Sequence, residues 1–496
     1  MYADEGGRAA VAPERSRALS PFPPPAPPVT PAVLLCTALA PPVAAPPEAA
    51  FRPDLPPPAL TFAPGADGGG EVYRGTAPHE VFRAQAPPDF PTATPTGLLQ
   101  ADSFWFGQDQ DSIAAVGDVE DGTALRRLRL GAYGRAWEGV EYYMEVDFGV
   151  QGATAIADAF FTLTDAVPNH DVRFGFFRQP VGIESREGAR TLPLLERSLP
   201  FALQPFRQIG VGINGTQEEL GLSWEGTVFR FPSDTDGGVL GDRGGYSAAG
   251  RFSALLWEND ADDELLHAGV SAAFLGPADD AIRYFSRPET FSPESRGVVA
   301  TTGGTRAVPP FVDTTPLAAE RAHVLGLELM GRRGPAWFQS EMNVVSLDPA
   351  ERDAVNLSDV DAPGLDAPRS AATFWGGSLT AGYFLTGETR PYSLDTATFG
   401  RVAPRENFAP RRGKWGAVEV LGRVSHLDLT DNDDDFGGVR GGELTDLTAG
   451  ANWYLNPRTR FQFNYIKAFL SDRGTGPADG DSSDTDIFAV RAQVDF

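Results

Sequence analysis

Cysteine, lysine and histidine are all scarce in this chain. Its 496 residues hold one cysteine, Cys36, which excludes an internal disulfide framework and any cysteine-based zinc site. The five histidines, His79, His170, His267, His323 and His426, form no HExxH pair. No Gly-x-Ser-x-Gly elbow occurs either, so zinc hydrolysis and serine acyl transfer have no visible foothold. A hydrolytic pair could sit at His267 and Ser271 or at His426 and Ser425, but strand residues facing water account for both more simply. No run of 18 or more apolar residues is present, which argues against a spanning helix. Lysine occurs twice, at Lys414 and Lys467, so nearly all positive charge is arginine. The 41 basic residues face 67 acidic ones, a formal charge of −26. Binding to a nucleic-acid backbone is driven by neutralising phosphates and needs a basic surplus, so DNA and RNA are not expected partners. No enzyme, no cofactor and no metal site is expected from this inventory.

Proline divides the chain. Of its 43 prolines, 22 fall in residues 1–100, where Pro21 to Pro28 and Pro56 to Pro58 forbid regular hydrogen-bonded ladders. Residues 1–45 read as a leader and residues 46–95 as a disordered proline-rich linker, because little apolar periodicity is present to offset the entropy of ordering. Inside the leader, Arg8, Arg15 and Arg17 precede an apolar stretch, residues 32–45, that contains Ala38-Leu39-Ala40. This resembles a secretory signal with a displaced start, although its prolines fit an ordinary proline-rich leader as well.

From residue 96 to 496 the pattern changes to alternation of apolar and polar residues over segments of roughly ten, each bounded by Gly, Asp, Asn or Pro. In the last segment Phe488, Val490, Ala492, Val494 and Phe496 share one face, while Ala489, Arg491, Gln493 and Asp495 share the other. Val140, Tyr142, Met144, Val146 and Phe148 likewise oppose Glu141, Glu145 and Asp147. Soluble sandwiches alternate too, but with strands of about five or six residues. Longer strands with one greasy face and charged residues on the other fit a closed membrane barrel, whose outside meets lipid and whose inside is wet. Candidate strands lie near residues 98–108, 124–137, 139–149, 154–164, 170–178, 207–214, 218–230, 246–258, 264–275, 319–331, 335–346, 372–386, 414–429, 443–455, 458–468 and 486–496. The expectation is all-β: a sixteen-stranded antiparallel transmembrane barrel preceded by the tail. Residues 281–287 alternate as well and are placed inside a long external loop. Residues 387–413 are anomalous, being long on the side where turns should be short.

Seven motifs occur in order along this region: Leu125-Arg126-Arg127-Leu128-Arg129-Leu130-Gly131, Asp158-Ala159-Phe160, Phe174-Gly175-Phe176-Phe177-Arg178-Gln179-Pro180, Glu196-Arg197-Ser198-Leu199-Pro200, Tyr383-Phe384-Leu385-Thr386-Gly387-Glu388, Gly416-Ala417-Val418-Glu419 with Arg423-Val424-Ser425, and Asn452-Trp453-Tyr454-Leu455-Asn456-Pro457. On these residues the chain resembles the phosphate-selective porins O and P of bacterial outer membranes. The resemblance implies a homotrimer in contact with outer-membrane lipid and lipopolysaccharide. It also implies passive diffusion of small hydrophilic solutes, with anions favoured, and a third external loop folded inward, here Gln179 to Gln208. Carried over by position, the pore lining is Arg127, Arg129, Arg135, Asp158, Arg173 and Arg178 on the wall with Arg186, Arg190, Arg197 and Arg207 on the loop. Parity supports Arg127, Arg129, Arg135 and Arg173, which lie opposite the leucines, valines and phenylalanines of their strands. Arginine stays protonated and can pass oxyanions between bidentate contacts; equally, these arginines could simply pair with Glu141, Glu145 and Asp147. Two lysines cannot build the lysine cluster expected of a phosphate-selective member. The alternative function is a closed barrel, plugged by the loop, that serves as a structural anchor.

Two further motifs have simpler explanations. Gly210-Val211-Gly212-Ile213-Asn214-Gly215 matches a dinucleotide fingerprint but is followed by strand period rather than a helix. Asp431, Asp433, Asp434 and Asp435 lack the glycine and glutamate spacing of a calcium loop and read, like Asp479, Asp481, Asp484 and Asp486, as solvated external loops.

Overall fold

In the computed structural model the described residues are 90–149, 154–233, 238, 245–259, 263–290, 308–350, 371–431, 438–473 and 482–496. The leader, most of the proline-rich linker and most of the aspartate-rich loop residues lie outside them.

The alternating segments form sixteen long strands: β1 Thr94–Gln108, β2 Gly122–Trp137, β3 Val140–Asp147, β4 Ala155–Val167, β5 His170–Arg178, β6 Arg207–Gln217, β7 Leu222–Arg230, β8 Tyr246–Asn259, β9 Glu264–Leu275, β10 Leu317–Arg333, β11 Ala336–Pro349, β12 Ala372–Phe384, β13 Ala417–Asp431, β14 Val439–Asn456, β15 Thr459–Arg473 and β16 Ser483–Asp495. Each pairs antiparallel with its neighbours in sequence, and β1 closes the ring on β16, with Leu98 opposite Asp495 and Gln108 opposite Thr485. Closure leaves no unpaired edge, the condition for a sheet to survive in hydrocarbon. The wall begins at Thr94, two residues before the expected start, and the glycine motif at 210–215 lies inside β6.

The alternation becomes an inside-out distribution. Leu130, Met144, Val424 and Phe496 point outward and are about half exposed, while Arg491, Asp102, Gln100 and Glu419 point inward and are fully buried. A soluble protein does the reverse; apolar surface on this scale marks contact with lipid. Phe496 shows how the wall accommodates its bulk. Its ring lies over Gly97, where a Cβ would come within 2.4 Å of the ring.

Connections at one end are tight, such as residues 138–139, 168–169 and 334–335, and those at the other are long. The expected register therefore holds, and the anomaly has a physical cause. The connection from Phe384 to Ala417 lies at the short-turn end and is long because it folds into the barrel instead of turning back. Residues 281–287 belong to a long loop, as expected; Ala281–Ile282 and Phe285–Ser286 make two small pairings with residues 317–318 and 312–313. A large apolar cluster fills the long-loop end of one side of the barrel, with Leu199, Phe231, Tyr284, Phe311, Val345, Phe374 and Leu427 among its members.

Candidate functional site

The segment between β5 and β6 turns into the barrel, and from Gln179 to Gln208 every residue except Arg190 is buried. The inward turn occurs at Gly182, φ +72°, where a Cβ would fall 2.3 Å from Gln204 Nε2. Beyond it, the backbone N–H groups of Ile183 and Glu184 donate to Glu341 Oε2 on β11 at 2.9 and 3.2 Å. Glu184 accepts from the Ser198 backbone N–H and hydroxyl at 2.6 and 2.8 Å and from Arg423 of β13 at 2.7 Å. Arg197 donates to the carbonyls of Glu184 and Glu187 at 2.7 and 2.8 Å and lies over the rings of Phe201 and Phe206. Asn452 on β14 and Gln462 on β15 both donate to the Pro193 carbonyl. With the Gly182 N–H donating to Ser271 of β9 and Arg491 of β16 donating to the Leu195 carbonyl, the loop is held from β9 round to β16.

Two arginine–carboxylate clusters lie between this loop and the wall. In the first, Arg126, Arg127 and Arg491 converge on Glu196 at 2.7, 3.3 and 2.7 Å. Consecutive residues Arg126 and Arg127 can both reach inward because of a β-bulge: Gln100 pairs with Arg127 and Ala101 with Leu125, leaving Arg126 as the extra residue. Burial alone would push the Glu196 carboxyl up, but the three guanidiniums outweigh it and hold it well below the usual carboxylate range. Arg491 also pairs with Asp102 at 2.6 Å, Arg190 with Glu145 at 2.6 Å, and Arg129 with Asp147 at 2.7 Å and Glu145 at 3.4 Å. In the second cluster Arg207 and Arg178 approach Asp158 at 3.0 and 3.6 Å, and Arg186 and Arg173 approach Glu225 at 2.7 and 3.9 Å. Arg173 stacks over Phe160 at 4.6 Å, and its Nε and Nη2, like Nε of Arg186, meet no acceptor among the described residues.

From the opposite end, the connection between β12 and β13 reaches across the lumen. Arg251 on β8 donates to the Thr396 and Ala397 carbonyls at 2.9 and 2.8 Å, and His267 on β9 contacts the Tyr392 hydroxyl at 2.8 Å. Arg390 pairs with Glu419 at 3.2 Å and lies 4.1 Å over the Trp337 ring, and Arg401 pairs with Asp495 on β16 at 2.7 Å. In a ring of sixteen, β8 and β16 are diametrically opposed, so this insert bridges the barrel. Its Phe399 and Val402 join Ile183 and Leu194 of the other loop in one apolar cluster. A third segment, after β9, places Glu289 against Ser425, Thr448 and Arg423.

The family model for phosphate-selective porin O and P matches residues 103–496. The chain belongs to this family. Porin O of Pseudomonas aeruginosa is 26% identical over 423 residues, 81% of this chain and 87% of that protein. A protein of Caulobacter vibrioides is 26% identical over 453 residues, 84% and 80% of the two chains. Among solved structures the chain is similar to the anion-selective porin from Comamonas acidovorans, with TM-score 0.46, 13% identity and coverage of 81% and 99%. It is also similar to the outer membrane channel DcaP of Acinetobacter baumannii, with TM-score 0.46, 10% identity and coverage of 82% and 97%. The porin is a bacterial outer-membrane protein, so its long loops are external and its short turns periplasmic.

Within the porin the sequence-derived residues separate. Arg127, Arg129 and Arg190 gather in the first cluster, and Asp158, Arg173, Arg178, Arg186 and Arg207 in the second. Arg197 braces the loop from within. Arg135 stands apart near the periplasmic end, half exposed and 3.3 Å from Glu141. His267 and Ser271 make no pair, since His267 bonds Glu328 and Tyr392 while Ser271 accepts from the Gly182 N–H. Sequence reasoning missed Arg126, because strict parity turns it outward, and it missed Arg390 of the insert together with Arg251, the β8 residue that holds the insert, because periodicity cannot place that insert. Arg491 carried a readable signal as the one charge of its sign on the polar face of the last strand.

Proposed function

We propose that this porin passes small anions along a polar sector of its lumen, between the third external loop and the wall of β1–β7 and β16. In the ion pairs of that sector ten arginines (Arg126, Arg127, Arg129, Arg135, Arg173, Arg178, Arg186, Arg190, Arg207, Arg491) meet seven carboxylates (Asp102, Glu141, Glu145, Asp147, Asp158, Glu196, Glu225), a difference of three positive charges. The observation that carries the reading is at Arg173 and Arg186, whose guanidinium donors are buried, adjacent and incompletely matched by acceptors. Such incompletely matched guanidiniums leave positive charge uncompensated beside the lumen, which attracts a passing anion. Most of the remaining arginines are saturated by carboxylates and set the field rather than bind. With two lysines in the whole chain, the selectivity rests on these guanidiniums, and discrimination for phosphate over chloride is expected to be modest. The function is passive conduction rather than catalysis, by a homotrimer whose outer wall contacts lipid and whose external loops contact lipopolysaccharide.

The test is a reversal potential in planar bilayers across a salt gradient. Wild type should reverse on the anion side, and Arg173→Gln with Arg186→Gln should move the potential toward the cation side while stepwise conductance persists. Cation preference in wild type, or a double variant with unchanged reversal, would refute the proposal. A folded barrel that does not conduct would instead favour the plugged anchor, consistent with the nearly continuous burial of Gln179 to Gln208.

A further inference from the structure

At the periplasmic end, the last part of the insert forms a tight hairpin closed by the Ala409–Lys414 bridge, with a single 3₁₀ turn, Pro410–Arg412, at its tip. Arg411 and Arg412 stand exposed on that tip. Two other arginines at this end have carboxylate partners, Arg333 with Glu264 at 2.9 Å and Arg401 with Asp495 at 2.7 Å; the two at the tip form no ion pair among the described residues. Beside them Trp415 is 62% exposed. Phe408 packs edge-on against Trp415 and Trp453, with centroids 6.0 and 5.3 Å away, and Trp453 continues to Phe461 at 5.9 Å. Trp453 also donates its indole N–H to the Trp415 carbonyl at 2.7 Å. Trp453 and Phe461 belong to the outer wall of β14 and β15, so an aromatic row leads from the lipid-facing surface directly to a pair of unmatched guanidiniums.

We infer that this hairpin is a binding site for the phosphate headgroup of an anionic phospholipid in the inner leaflet. Aromatic rings of this kind sit at the headgroup level, where long basic side chains extend toward phosphate. Guanidinium is the side chain best shaped to hold phosphate by two parallel hydrogen bonds. The chain as a whole carries −26, which repels anionic headgroups, so a local positive tip is what can retain one against that field. The site is independent of the conduction path and would hold a lipid whether or not the pore selects anions.

Detergent-solubilised porin titrated with phosphatidylglycerol or phosphatidylcholine, with bound lipid counted by native mass spectrometry, tests the site. Wild type should retain phosphatidylglycerol over phosphatidylcholine. Arg411→Gln with Arg412→Gln should weaken phosphatidylglycerol retention roughly twenty-five-fold, from about five-fold per basic residue near a headgroup, and Arg411→Lys with Arg412→Lys should keep most of it. Arg321→Gln, at the opposite end, should change nothing, and unaltered single-channel conductance confirms that each variant is folded. Equal retention of the two lipids, or an unchanged double glutamine variant, overturns the inference. So does displacement of phosphatidylglycerol by a soluble acidic peptide at equal concentration, which would mark a protein partner instead.

Discussion

Glu187 lies where the third external loop, β11 and the periplasmic insert meet. Its Oε2 accepts a long hydrogen bond from Gln339 at 3.4 Å, and its Oε1 has no donor among the described residues. Burial, reinforced by Glu184, pushes its carboxyl up to about 7, with Arg390, Gln339 and Arg197 offsetting only part of that shift. The folded state therefore holds this proton more tightly than the unfolded chain does. Its contribution to stability is complete below about 4.5 and is lost as pH rises through 7. Urea unfolding between pH 5 and pH 8 should show wild type losing up to about 3 kcal/mol from this group. Glu187→Gln should remove that slope; an identical slope in the variant would place the titration elsewhere. At this scale the sequence was only partly legible. Arg127 and Arg129 follow from parity, whereas Arg126 depends on a bulge, which adds one residue to one strand and reverses the side on which parity would put it.

At the scale of elements, two segments from opposite ends narrow one lumen. The periplasmic one is pinned through a small hairpin in which Tyr392–Ser393 pairs with Thr398–Phe399, and its ends are close, with the Gly400 N–H donating to the Pro391 carbonyl at 2.7 Å. Residues 392–399 can therefore be replaced by a short glycine link without moving Arg390 or Arg401. Single-channel conductance should then rise, because the bridge between β8 and β16 loses its middle. Arg251→Gln should act in the same direction but less, removing charge-assisted bonds worth roughly 1.5–3 kcal/mol each and loosening the hairpin. Unchanged conductance in both variants would show that the hairpin lies off the ion path. Strand period is a local property, so it found sixteen strands and flagged the long connection. Where that connection goes depends on Arg251, His267 and Asp495, which are far from it in sequence.

At the scale of the whole molecule, the apolar exterior accounts for contact with the membrane. The trimer proposed for the porin should sediment in detergent, after correction for bound detergent, at about three times the mass of one chain. A monomer under mild solubilisation would remove assembly from the account.

What the sequence alone determined was the closed, lipid-facing barrel. A period of two places Phe488, Val494 and Phe496 on one side and Arg491, Gln493 and Asp495 on the other, and that division needs no distant contact to be read. The tertiary structure alone decided what fills the barrel. Glu196 collects arginines from β2 and β16, Glu341 caps the turn of an inward loop, and an insert spans the diameter. Each of these contacts joins residues whose separation along the chain carries no periodic signal, because they are selected by complementary charge and shape across the lumen rather than by the geometry of any one strand.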